Sequence, residues 1–151
     1  MRVVLQRVKE ASISVDGAPA QSIGPGLVLL FGVREGDTPD LIPKLAKKCA
    51  NMRIFSDDEG RMNLSAVQLG YSALAASNFT LYANTDKGMR PSFTRAAAPE
   101  LAEPMWEQFA AELEQQGLKE VVRGRFGADM QISLVNDGPV TLVVDTDDWG
   151  H

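Results

Sequence analysis

Histidine and cysteine are almost missing from this 151-residue chain, which holds one of each, Cys49 and the final residue His151. Ser-His-Asp and Cys-His catalysis both need an imidazole held rigidly by a neighbour, and a terminal residue is poorly placed to provide it. Zinc sites built on His and Cys are excluded on the same count. One cysteine allows no internal disulfide, and this usage points to the cytoplasm. Long apolar runs are missing too. The longest, Leu27 to Val33, is far short of the roughly 20 residues that cross a bilayer, so no membrane partner is expected. The opening MRVVLQRVKEAS alternates apolar with charged residues and reads as a strand, not a signal peptide. An enzyme with this composition must work with hydroxyls, carboxylates, lysines, backbone groups or the substrate itself, without cofactor or metal.

What is present fits one globular domain over residues 1–151, with 145–151 expected to be a flexible acidic tail carrying Asp145, Asp147 and Asp148. The apolar share of 44% and charged share of 23% are ordinary for a packed domain. No linker, repeat or low-complexity segment breaks the chain. A net charge of −5 argues against a broad basic surface for coating nucleic acid, but a few local Lys and Arg suffice for a small contact with one nucleic-acid end.

Residues 2–8 and 11–15 carry strand patterning, and Asp16-Gly17 is a hairpin-type turn. Gly24-Pro25-Gly26 precedes Leu27–Val33, a run apolar enough for a strand covered on both faces. Leu41, Leu45, Cys49 and Met52 predict a first helix over 40–52, with Lys44, Lys47 and Lys48 toward solvent. A short strand at 53–55 and a buried strand at 72–82 follow, then a polar loop at 83–97. Leu101, Met105, Phe109 and Leu113 predict a second helix over 99–116, with Pro104 disturbing its first turns. Three strands, at 118–122, 128–135 and 140–145, close the chain. The order is two strands, two strand-helix units and three strands: an α/β fold with a mixed sheet and both helices on one side.

Three segments are candidates for chemistry. Ser77-Asn78-Phe79-Thr80-Leu81 ends the buried strand; its hydroxyls and amide are either hydrogen-bonded core residues or a catalytic edge. Alternation would put Asn78 and Thr80 on one face and Ser77 and Phe79 on the other, unless the strand ends there. Asn136-Asp137-Gly138-Pro139-Val140-Thr141 has the composition of a β-hairpin turn. Phe126-Gly127-Ala128-Asp129-Met130 reads as a glycine bend before a strand, or as a platform on which Phe126 stacks a purine. Two small basic clusters, Lys87, Arg90 and Arg95, and Lys119, Arg123 and Arg125, are either solvated surface or phosphate contacts.

Taken together these segments resemble the D-aminoacyl-tRNA deacylase family over nearly the whole chain. The resemblance includes Met1 to Val8, Met62-Asn63-Leu64-Ser65, Lys87-Gly88, Arg90-Pro91-Ser92-Phe93 and the two signature segments 77–81 and 136–141. Asn78 departs from the glutamine usual in the family. The resemblance implies a three-layer β/β/α fold and a homodimer with active sites at the interface, acting on the aminoacylated 3′ end of tRNA. It implies a cis Gly138-Pro139 dipeptide that reaches into the partner's site and rejects L-aminoacyl groups, so that D-aminoacyl-tRNA and glycyl-tRNA are hydrolysed. It further assigns Ser77, Asn78, Phe79 and Thr80 to catalysis, Phe126, Gly127, Ala128 and Met130 to the terminal adenosine, and Arg7, with Asn136, to support of the Gly-Pro element.

Thr80 as a nucleophile would need a base, and no internal histidine exists. Electrostatics fit better: N–H groups at Phe79 and Thr80 stabilise the oxyanion while water attacks the ester, oriented by the free ribose hydroxyl. The alternatives are a non-catalytic module that holds aminoacylated tRNA ends, and an animal-type deacylase that tolerates some L substrates.

Overall fold

A computed structural model describes residues 1–150. Strand β1 (Arg2–Val15) pairs with almost every other long strand. One edge takes β3 (Gly26–Gly32) and then β2 (Gln21–Ile23), both antiparallel; the other takes β8 (Met130–Asp145), also antiparallel. Strand β6 (Ser72–Ser77) joins β3 in parallel, and β7 (Val121–Arg123) joins β6 in parallel, which completes a mixed six-stranded sheet. A small hairpin, β4 (Phe55–Ser56) with β5 (Met62–Leu64), stands apart. Helices α1 (Ile42–Ala50) and α3 (Pro99–Glu114) supply one layer, and a short α2 (Ala66–Leu69) precedes β6.

Side-chain alternation along β3 and β6 creates two cores. Leu27, Leu29, Phe31, Ala73 and Ala75 face the helices, where Phe31 stacks on Phe109 with centroids 4.4 Å apart. Val28, Leu74 and Ala76 face the other way, against Val8, Ala11, Ile13 and Ile23. Strand β1 therefore serves both cores: Val3 and Leu5 lie in the helical one, and Val8 onward in the other. The far halves of β1 and β8, with β2, form a second β layer, and the arrangement is the three-layer β/β/α fold. Gly26 lets β3 and β6 meet, since a Cβ there would fall 1.9 Å from the Ser72 carbonyl oxygen.

Several expectations need correction. The pieces 2–8 and 11–15 are one strand. The last two expected strands are likewise a single strand, β8, so 136–141 is no hairpin turn. The first helix is preceded by a 3-10 turn at Pro39–Leu41, and the second buries Ala102 and Trp106 on its stripe while Leu101 is partly exposed. Pro104 lies inside α3, which begins at Pro99, so it does not delay the start of the helix; it removes the hydrogen bond that residue 104 would donate to the Glu100 carbonyl. The short α2 was not anticipated, although Ser65 and Gln68 form a complete capping box.

The expected flexible tail is docked as far as Trp149. Asp145 accepts from Arg2 Nε, and Thr146 exchanges hydrogen bonds with Met1, whose ammonium group also meets Asp37 at 2.8 Å. Lys44 and Lys48 lie over the Trp149 ring. His151 lies outside the described residues.

Cys49 is fully buried in the helical core, and burial pushes its thiol up to about 12. Near pH 8 it should therefore carry almost no thiolate. Titration with a disulfide reagent at that pH should modify no thiol in the native protein and one after unfolding in guanidinium. Rapid stoichiometric reaction of the native chain would contradict this packing.

Candidate active site

Strands β3, β6 and β7 run parallel, so their C-terminal ends lie at one side of the sheet. A cleft of about 750 Å³ opens there. Open α/β sheets commonly bind ligands beyond the carboxyl ends of their strands. Two of the three candidate segments meet in this cleft: Ser77, Asn78 and Phe79 on one side, and Phe126, Gly127, Ala128 and Met130 on another. Its floor is apolar, with Phe31, Val33 and Trp106 from the helical core.

The β6 strand stops at Ser77, and the chain turns at once into a 3-10 helix at Phe79–Tyr82. That turn removes the alternation which would have split the segment between two faces. Asn78 N–H donates to the Phe31 carbonyl at 2.7 Å, which ties the start of the turn to β3. The Asn78 side-chain oxygen then caps the turn, accepting from Thr80 N–H at 3.1 Å and from the Thr80 hydroxyl. Asparagine is among the best capping residues because its short side chain reaches the N–H two positions on.

Two chemical consequences follow. The Thr80 N–H already has an acceptor, whereas Phe79 N–H has none among the described residues. The Thr80 hydroxyl donates to an amide oxygen, which is no base, so it is held but not activated. Thr80 itself is exposed beside the cleft and is not part of its lining. The Phe79 ring is 57% exposed and meets Phe93 edge-on at 5.1 Å, so the mouth presents aromatic surface to a ligand.

The 125–129 turn is fixed from below. Asp16 N–H donates to the Asp129 carbonyl, Asp129 N–H donates to Asp16 Oδ1, and Arg125 pairs with Asp16. Gly127 adopts φ +75°, as this turn requires. Phe126 is half-buried, with Ala128 and Met130 beside it.

The third segment lies elsewhere. Gln6 is opposite Thr141 and Val8 is opposite Asn136, so the single residue Arg7 faces the four residues Asp137 to Val140. These four leave the ladder as an excursion with exposed Gly138 and Pro139 at its tip, joined by a cis peptide bond. Asn136 closes its base, donating to the carbonyls of Arg7 at 3.1 Å and Val140 at 2.9 Å. Arg7 grips the excursion from the other strand, with Nε on the Asp137 carbonyl at 2.9 Å and Nη1 on the Ile54 carbonyl at 2.7 Å. A Cβ on Gly138 would meet Val140 N at 2.5 Å. Neither Gly138 nor Pro139 lines the cleft of its own chain.

Sequence reasoning gave no role in the site to Phe93, which lines the cleft from the polar loop, or to Asp16, which holds the 125–129 turn; an aromatic in that polar loop was the available signal for the first.

Residues 4–145 match the family model described as D-Tyr-tRNA(Tyr) deacylase. A D-aminoacyl-tRNA deacylase from Roseiflexus castenholzii is 55% identical over 146 residues, covering 97% of this chain and 92% of that protein. A solved structure described as c-Myc DNA Unwinding Element Binding Protein is 34% identical with a TM-score of 0.89, covering 97% of this chain and 99% of that one. A second, of a probable eukaryotic D-amino acid tRNA deacylase, shares the fold at 14% identity, with a TM-score of 0.83 over 95% of this chain and 97% of that chain. The chain belongs to the D-Tyr-tRNA(Tyr) deacylase family.

Proposed function

We propose that this cytoplasmic hydrolase removes the amino acid from D-aminoacyl-tRNA in the cleft beside Phe79, working as a homodimer whose partner contributes the chirality filter. The observation that carries the reading is the convergence of the capped Asn78–Thr80 turn and the Phe126–Met130 turn on one apolar cleft. The terminal adenosine lies against Phe126, Gly127, Ala128 and Met130, and its aminoacyl ester reaches Ser77 and the Phe79 main chain.

The chemistry is electrostatic. Attack on the ester carbonyl places negative charge on its oxygen, and the free Phe79 N–H is the backbone donor for it. The donor role given to Thr80 N–H from the sequence passes to Phe79, because the Asn78 side chain occupies it. Water attacks, oriented by the ribose hydroxyl beside the ester. Thr80, hydrogen-bonded to Asn78, keeps the turn in shape and presents its oxygen as an acceptor.

The excursion supplies selectivity. Gly138 and Pro139 are exposed and off their own cleft, and β8, 16 residues long, leaves its outer edge unpaired, with Val135 and Val143 partly exposed. Two copies joined in two-fold fashion would bring each tip to the other's cleft. There the main chain stands where an L side chain would project, while a D side chain points away and glycine has nothing to reject.

Incubation with D-Tyr-, Gly- and L-Tyr-tRNA should give hydrolysis of the first two and background release from the third. Equal release from D and L forms would remove the chirality filter, and no release from any would favour a binding module. Thr80→Ala should lower kcat by no more than about a hundredfold, as expected for lost positioning. Removing a true nucleophile costs about a millionfold in the best-studied hydrolases, and a loss of that order would make Thr80 the attacking group.

A further inference from the structure

The ester lies at the end of a much larger polyanion, and the cleft accounts for the end alone. The remainder must leave the mouth across some part of the surface. Of the six basic residues in the two clusters, three are engaged by acids: Arg95 by Asp86, Arg123 by Glu107 and Glu114, and Arg125 by Asp16. Lys119 precedes β7 and donates its N–H to the Tyr71 carbonyl just before β6. It therefore lies at the N-terminal ends of the parallel strands, opposite the cleft. Lys87 and Arg90 remain. Both are exposed, and neither has an acidic partner within ion-pair distance among the described residues.

Their loop is built onto the cleft mouth. Asn84 and Ser92 form a two-way backbone bridge at 2.7 and 2.9 Å that closes residues 85–91 into a projecting loop. Asp86 N–H caps back onto the Asn84 side chain, and Gly88 takes φ +64°. The residue after the bridge is Phe93, which lines the cleft and packs on Phe79. Between the two cations Met89 is 98% exposed, an apolar tip with nothing from its own chain over it.

We propose that this loop is the docking surface for the acceptor stem of the tRNA, with Lys87 and Arg90 on backbone phosphates and Met89 against a sugar or base. The proposal rests on the cleft receiving the charged 3′ end. In a chain of net charge −5, two cations beside the mouth with no acidic partner among the described residues give the strand a local attractive path. Such contacts position the RNA without reading its sequence, and each one releases bound counterions.

The test compares D-tyrosyl-tRNA with the D-tyrosyl ester of the bare CCA trinucleotide, using wild type, K87A/R90A and K119A. The double variant should lose about tenfold or more in kcat/KM on the tRNA relative to its change on the trinucleotide. The salt dependence of log kcat/KM on the tRNA should become shallower by about 1 to 2. K119A, which also removes positive charge, should match wild type on both substrates. Equal losses on the two substrates, an unchanged salt slope, or the same effect from K119A would overturn the docking surface. Failure of the wild type to cleave either substrate would overturn the cleft assignment and the surface with it.

Discussion

One mismatch organises this molecule: along the pairing of β1 with β8, Arg7 alone stands opposite Asp137, Gly138, Pro139 and Val140. An antiparallel ladder tolerates an extra residue by bending, and several extra residues must leave the plane. Both happen here. The first strand passes from the helical core at Leu5 to the second core at Val8 across this point, and the opposite strand throws out its Gly-Pro tip. An excursion of this kind exposes backbone groups unless something holds its base. The Arg7 guanidinium and the Asn136 amide do so through four hydrogen bonds to main-chain carbonyls. The same residues therefore set the layering of the fold and the presentation of the tip.

The cleft depends on a second local device. A strand of small residues, Ser72 to Ser77, lies close against its parallel neighbour and stops where the pocket begins. Its continuation is turned sharply by the Asn78 cap, which takes Thr80 N–H, leaves Phe79 N–H without an acceptor among the described residues and leaves the Thr80 hydroxyl bonded to an amide. On the proposed reading, catalysis in such a site comes from fixed dipoles, in keeping with a chain that has no internal histidine. The shorter Asn78 in place of glutamine is well suited to this cap, since an added methylene would carry the acceptor past Thr80 N–H.

Much of this was legible in the residues. The unbroken apolar run Leu27–Val33 pointed to a strand buried on both faces, and the periodic spacing of Leu45 and Cys49, and of Met105, Phe109 and Leu113, pointed to the two helices and their inner faces. Elimination of imidazole chemistry also came from composition. The 136–141 segment misled because Asn, Asp, Gly and Pro favour turns whether the chain reverses or merely bulges, and only the pairing partner distinguishes the two. The end of β6 was placed five residues late because Phe79, Leu81 and Tyr82 suit a strand as well as a 3-10 turn. The docked tail was missed because its anchors, Met1 and Arg2, lie at the far end of the sequence, where local patterning carries no signal.

The central claim is that each working site is assembled from two chains, the cleft of one and the tip of the other. Mixed dimers test it most directly. One parent carries Ala128→Arg, which fills the cleft, and the other Gly138→Ala, whose Cβ would collide with Val140 and displace the tip. If the account holds, chiral deacylation is lost in each parent. Random re-association should then restore about a quarter of the wild-type D-specific rate, from one complete site in half of the dimers. No recovery on mixing, with both parents still dimeric and folded, would mean that each chain builds its site alone and would contradict the account.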